Sequence, residues 1–294
     1  MSGVSAGLGL SALDDWLPLF SGVVAMTSNG VAEISEAGAY AQPTRPGGDV
    51  LDVARRVTLR ASTALAPQVR LVAAEPGSRT GPGLELVADD EVLHRCVLTR
   101  PRDSLLLAEM AATLRSAHVE APVAHPAWAV SAWTCETSGA RCFARLERAS
   151  RREHVDALLA DGGPARHAML ECSRPQLTQC VAIDHVGGLL AQARGYAAPV
   201  VAGVVVPGLM QVGAGTVGAV VRRGAALIAE VGAATVAVDL ARVTECRVVW
   251  PAEGASTVEL YDESDRCVAL LSVADTACFT ARARWDHLVE MACL

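Results

Sequence analysis

Few stretches of this 294-residue chain hold chemically active residue types at a recognisable spacing. Gly213-Ala-Gly-Thr-Val-Gly218 fits the Gly-x-Gly-x-x-Gly pattern of a loop that brings backbone N–H groups to a pyrophosphate. No helix with an acid about 20 residues on is expected after it, so the segment reads as a turn. The chain has no Gly-x-Ser-x-Gly elbow, no His-Glu-x-x-His pair and no Walker-type loop. Its nine cysteines include no Cys-x-x-Cys pair, and Cys96, Cys246, Cys267 and Cys278 fall in apolar segments, where a thiol behaves as a small hydrophobe. That usage fits a reducing compartment better than a disulfide framework or a zinc site. What remains is an Arg- and Glu-rich stretch from Arg141 to Arg166 that reads mostly helical, with His154 inside it and Asp161-Gly162-Gly163-Pro164 as its stop signal. By themselves His154 is an ordinary solvated helix histidine, Arg166 a surface ion-pair partner and Arg60 an exposed cation at a strand end.

The elements that must position such groups are strands, and they come twice. Val69–Leu98 and Glu245–Leu271 share an apolar strand, a turn containing Glu, Pro and Gly, an alternating strand, an acidic tight turn and a last apolar strand. Period-two alternation puts Leu84 and Leu86 on one face and Glu85 on the other, and Val258, Leu260 and Glu259 repeat this 174 residues later. A second echo relates Gly22–Gly38 to Gly208–Gly224 at an offset of 186. Two ordered echoes predict a duplicated α+β unit with large antiparallel sheets: residues 1–120, then 121–294, joined near 118–128 where Pro122 and Pro126 interrupt regular structure.

Local signals fill in this plan. Short strands are expected at Val23–Met26 and Val31–Ile34 around the Ser28-Asn29-Gly30 turn, and another at Val57–Leu59 leading to Arg60. Helices are expected at Leu13–Leu19 with Ser11 as cap, at Ser104–Ala117, at Val181–Ala193 and at Arg284–Met291. The apolar run Ala197–Met210, with Pro199 and Pro207, is too short to cross a bilayer and reads as a buried strand. Hydrophobic residues make up 51% of the chain and aromatics 4%, so Ala, Val and Leu must fill the core. A net charge of −7 speaks against nucleic acid, and an anionic ligand would need a local arginine cluster. With no basic and apolar leader, the expected setting is soluble and cytoplasmic, with no membrane partner.

From about Trp16 to Val289 the order of segments resembles the HemS/HmuS-type cytoplasmic haem-utilisation proteins, which are internally duplicated. Phe20–Asn29 is similar to that family's first hairpin, Val57-Thr-Leu-Arg60 to its Ile-Asp-Leu-Arg, and Gly83–Leu98 to its Ser-Leu-Gln-Phe-Phe-Asp segment. Gly208–Gly215 resembles its Gly-Cys-Ile-Gln-Ile-His-Thr-Gly, Thr257–Leu271 its Ser-Leu-Glu-Leu-Phe-Asp segment, and Trp285 falls on its late tryptophan. The resemblance implies paired antiparallel sheets with helices and a haem held in a cleft against the sheet. It also implies a carrier role in iron acquisition and, in several members, oxidative ring opening with O2 and electrons. A haem-degrading activity, an electron donor and a homodimer are thereby left open.

Carried over singly, Arg60 matches the sheet arginine that faces haem iron, where a fixed cation can hydrogen-bond a distal water or bound O2. It is the one catalytic candidate. The family's helix reads His, a Leu-Leu pair, then Arg thirteen residues after the His. Leu158-Leu159 and Arg166 fit, which puts Glu153 in the counted slot and His154 one residue late. His154 is the expected iron ligand, and Arg166 the expected partner of a haem propionate. Other matched positions have changed. Trp250-Pro251 and Ser272–Cys278 lack the family's cations, Ser62 replaces a Phe, and Ile34 and Asp239 stand where the family has another ligand and a His. These losses thin the propionate anchors and aromatic walls, and leave as the alternative a non-catalytic HemS-like scaffold that has lost haem degradation or haem binding.

Overall fold

The computed structural model describes residues 5–7, 15–41, 57–62, 67–73, 81–88, 90–116, 148–149, 151–161, 164–173, 175–252, 255–274 and 277–294. The expected 118–128 linker, Ser11 and Leu13 lie outside them. The chain opens with β1 (Ser5–Gly7), a 3-10 turn at Leu17–Leu19, β2 (Val23–Ser28), β3 (Ala32–Gly38), β4 (Thr58–Ala61), β5 (Gln68–Val72), β6 (Gly83–Ala88) and β7 (Glu91–Leu98). Among the described residues, α1 (Pro101–Ser116), α2 (Arg151–Asp161) and α3 (Pro164–Glu171) follow. Next come β8 (Thr178–Val181), α4 (His185–Gly195), β9 (Pro199–Val206) and β10 (Leu209–Arg223). The chain ends with β11 (Ala226–Val231), β12 (Ala234–Asp239), β13 (Val243–Val249), β14 (Thr257–Asp262), β15 (Cys267–Val273) and α5 (Phe279–Ala292).

This is an α+β fold dominated by antiparallel sheet. Hydrogen-bonded neighbours run β1-β5-β6-β7-β2-β3-β12-β11-β10-β9-β15-β14-β13-β8, with β4 paired to β10. Read inward from the two ends, β5-β6-β7-β2-β3 and β13-β14-β15-β9-β10 have the same order. Strands from the two sides of residue 120 meet directly, as Val236 faces Ile34 and Met210 faces Arg60. β10 carries the join: Leu209–Thr216 pairs with β9, and after a bulge Val220–Arg223 pairs with β11.

Several expectations shift. Ala197–Met210 is not one strand but the heart of the β9–β10 hairpin, turned at Pro207-Gly208 with Gly208 at φ +74°. Gly213–Gly218 lies inside β10 and is not a turn. Its glycines permit close backbone approach: a Cβ on Gly215 would stand 2.5 Å from the Gly232 Cα, and Gly215 itself has φ +151°. The helix expected from Val181 begins at His185, because Thr178–Val181 first pairs with β13.

Each helix covers a stripe that strand alternation supplies. On β9, Val200, Ala202 and Val204 face α4 and α5 (Leu189, Leu190, Trp285, Leu288), while Val201 and Val205 face Val155, Leu158 and Leu159 of α2. With both faces covered, β9 has no polar alternation to show. α1 closes the core of the other half through Leu107 and Met110. Polar groups also cross between halves. The Asn29 side chain donates to the carbonyls of Val205 and Val268, both at 2.8 Å. Thr27 gives its single hydroxyl hydrogen to Gln211 at 2.9 Å, so the His94 Nδ1–H donates to Thr27 at 2.8 Å, and the Tyr40 hydroxyl donates to Nε2 at 2.7 Å.

Burial depresses the His94 imidazole to about 3, against an ordinary value of 6.5. Burial also pushes the Glu36 carboxyl, on the inward side of β3, up to about 7 from 4.5. The signs are opposite. Between pH 6.5 and 3 the unfolded chain takes a proton at His94 that the folded chain refuses, so stability falls as pH falls. Between pH 4.5 and 7 the folded chain keeps a proton on Glu36 that the unfolded chain loses, so stability falls as pH rises. In urea unfolding across pH 3–7, His94→Gln should gain on the parent as pH drops below 6.5. Glu36→Gln should gain as pH climbs above 4.5, each by at most about 1.4 kcal/mol per pH unit. Curves parallel to the parent would refute the assignment.

Candidate functional site

β14 displays Thr257, Glu259 and Tyr261 on one face because side chains two apart point the same way. That face was expected to be the open one, yet Glu259 is only 1% exposed. α3 crosses over it and lowers Arg166, itself fully buried, onto the carboxylate. Arg166 Nη1 donates to Glu259 Oε2 at 2.5 Å and Nη2 to Oε1 at 2.9 Å, a two-pronged pair. The Tyr261 hydroxyl accepts from Arg166 at 2.8 Å and donates to Glu259, and Thr257 donates to Glu259 at 3.0 Å. Desolvation works against the Arg166 charge; the Glu259 carboxylate outweighs it and holds the guanidinium proton more firmly than usual. Burial pushes the Tyr261 hydroxyl well above its ordinary range.

His154 belongs to this cluster. It is 1% exposed on α2, and Arg166 Nη2 lies 3.0 Å from its Nδ1. A guanidinium has donors only, so Nδ1 must accept, and the neutral ring then carries its proton on Nε2. Glu153, the counted slot, is exposed. One residue along a helix turns about 100°, so these neighbours face opposite environments. Arg60 is fully buried on β4 and forms an ion pair with Asp156, two residues beyond His154 on α2. The structure thus gathers Arg60, His154 and Arg166 around one helix but commits each to a partner from the chain itself. α2 packs on the sheet through Val155, Leu158 and Leu159.

No family model matches the chain, and no curated protein matches it by sequence. Solved structures do match. Holo-PhuS, a heme-binding protein from Pseudomonas aeruginosa, superposes with a TM-score of 0.74 at 19% identity, covering 97% of this chain and 86% of that one. The heme-degrading enzyme ChuS of Escherichia coli O157:H7 superposes with a TM-score of 0.76 at 13% identity, covering 99% and 87%. The chain has the HemS/ChuS-type fold.

Within that fold, two groups that shape the site were not singled out from sequence. Asp156 gave no signal beyond a charge in a helix already rich in charge. Glu259 was visible, but a strand with apolar residues on one face only looks half-exposed unless α3 is laid across the other. The same logic separates the two echoes. Glu85 of β6 is also buried, but Arg70 Nε and Arg95 Nε reach it at 2.7 and 2.8 Å from half-exposed side chains.

Removing one member of a buried pair strands the other. Glu259→Gln should cost about 3–5 kcal/mol of unfolding free energy. Arg166→Met combined with Glu259→Leu should recover most of that loss, because no charge is then left inside. Urea midpoints of the three proteins measure this; a double variant no better than the single one would remove the charge-stranding explanation.

Proposed function

We propose that this protein handles haem as a carrier and does not open the ring. The haem half of the reading is supported by a fold shared over nearly the whole chain with proteins described as heme-binding and heme-degrading. It is supported too by the gathering of an imidazole and two guanidinia around α2. The observation that carries the carrier half is the state of those groups. If haem binds, His154 would hold its iron and Arg60 would lie near it; the porphyrin iron would supply the O2 chemistry. For Arg60 to hydrogen-bond bound O2 in ring-opening chemistry, its guanidinium must be available to it. Arg60 is instead neutralised by Asp156.

The residue types fit haem, while the hydrogen bonds around His154 describe a closed form. Ligation through Nε2 needs that nitrogen's lone pair, so the proton must move to Nδ1 and Arg166 must withdraw. Losing one charge-assisted hydrogen bond costs about 1.5–3 kcal/mol, which weakens haem roughly 10- to 100-fold relative to an unoccupied imidazole. α2 must also lift, since His154 is buried. The shared order of the two strand sets supports the duplication reading, with halves 1–120 and 121–294. A cytoplasmic setting and a homodimer belong to the same proposal, whereas an electron donor would be needed only by a ring-opening enzyme; no described helix is long and apolar enough to cross a membrane.

A second reading, a scaffold that has given up haem, is favoured by the Arg166 donation to His154 itself. Hemin titration followed in the Soret region separates the two. The carrier reading expects a saturable, near-stoichiometric band that weakens in His154→Ala, persists in Glu153→Ala, and survives ascorbate under air with catalase. Bleaching would replace carrier by enzyme. Non-saturating absorbance in the parent protein would end the haem reading and leave the scaffold.

A further inference from the structure

At the outer edge of the sheet a second cluster sits apart from the Arg60–Asp156 pair and the His154 imidazole. α3 presents His167 and Glu171 one helical turn apart, hence on one face. β13 presents Glu245 and Arg247, and the edge strand β8 presents Cys180, paired in register with Arg247. His167 is 2% exposed, and its Nε2 lies 3.0 Å from Glu245 Oε2. Nitrogen and oxygen donors of His167, Glu171 and Glu245 all fall within 4.8 Å of one another.

The hydrogen bonds here are arranged as a coordinating carboxylate needs. Arg247 pairs with Glu245 Oε1, and the Cys180 thiol donates to the same oxygen at 3.3 Å. Oε2 is thereby left to point at the imidazole. His167 also has an unmet requirement. A carboxylate only accepts, so Nε2 carries the proton in the described arrangement. Nδ1 is then a lone pair, buried without a hydrogen-bond partner, and 3.5 Å from Asp265 Oδ1. Each ring nitrogen faces a carboxylate, and one neutral tautomer can serve only one of them. A cation on Nε2 resolves this: the proton moves to Nδ1 and faces Asp265, giving the carboxylate–histidine–metal relay in which an outer acid orients the ligand.

We infer that His167, Glu171 and Glu245 form a site for a divalent transition ion such as Zn(II), with Asp265 and Arg247 as orienting partners. Ligand atoms each about 2.0–2.2 Å from zinc stand about 3–3.5 Å apart, which the 3.0 Å His167–Glu245 separation meets. Glu171, exposed at the end of α3, is free to swing in. Three protein donors leave a further position open.

The test uses the whole chain, stripped of metal. Zn(II) is added in competition with a chromophoric chelator, and Co(II) is followed by its visible absorption. One tight equivalent is expected in the parent protein, lost at least 100-fold in His167→Gln and Glu245→Gln and at least 10-fold in Glu171→Ala. Because Glu171 is exposed, its variant keeps the fold, so loss there reports ligation. Binding undiminished in Glu171→Ala, or Co(II) spectra with a thiolate charge-transfer band, would place the ion on free cysteines and overturn the site. No binding in the parent protein would leave His167 as a protonated bridge between two acids, also against the inference. None of these outcomes depends on whether hemin binds.

Discussion

A charged pair buried away from solvent governs this molecule. Arg166 and Glu259 are both buried, and their attraction must offset the desolvation of two ions. That balance needs good geometry and further polar contacts, which Tyr261, Thr257 and His154 supply, although Arg166 Nε is buried without a hydrogen-bond partner. The demand fixes how α3 sits on β14, and α3 meets α2 through the Arg166–His154 contact. The placement of the candidate haem residues is thus a consequence of satisfying a buried charge. His154 is where it is because Arg166 has a second donor to place.

Much of the strand plan was legible because two-residue alternation and turn residues are local. Ser28-Asn29-Gly30 predicts the β2–β3 hairpin, and the Val69–Leu98 and Glu245–Leu271 echoes become matching three-strand meanders. The second echo is legible only in part. It equates β2 with β10, whereas sheet position sets β2, between β7 and β3, beside β9, between β15 and β10. Apolar strands buried on both faces resemble one another too closely for sequence to say which matches which. The β9–β10 turn was hidden for the same reason, with valines and leucines on both sides of Pro207-Gly208.

The site was legible as a set of residues but not as a set of bonds. The family resemblance names Arg60, Arg166 and the choice between Glu153 and His154; on α2, Glu153 is exposed and His154 buried. What spacing cannot carry is partner identity. Asp156 closing on Arg60, and Glu259 closing on Arg166, join residues 96 and 93 positions apart. Those partners convert cations that a propionate or bound O2 could use into internal counter-ions.

The Tyr261 ring binds these matters together. Its hydroxyl serves the Arg166–Glu259 pair, while its ring lies 4.6 Å from that of His167 at a tilt of 49°. Adjacent residues of α3 therefore stand on two sides of one aromatic: Arg166 over the buried pair and His167 over the edge cluster. A change in the position of α3 cannot alter one without the other. If Arg166 withdraws from His154 while keeping Glu259, α3 can stay in place, and His167 keeps its contacts. If Arg166 leaves Glu259 as well, Tyr261 keeps its donation to Glu259 but loses Arg166, and α3, which carries His167, loses its polar hold on β14. The geometry favours the smaller movement, in which α2 alone lifts and the α3–β14 contact remains as the fixed base.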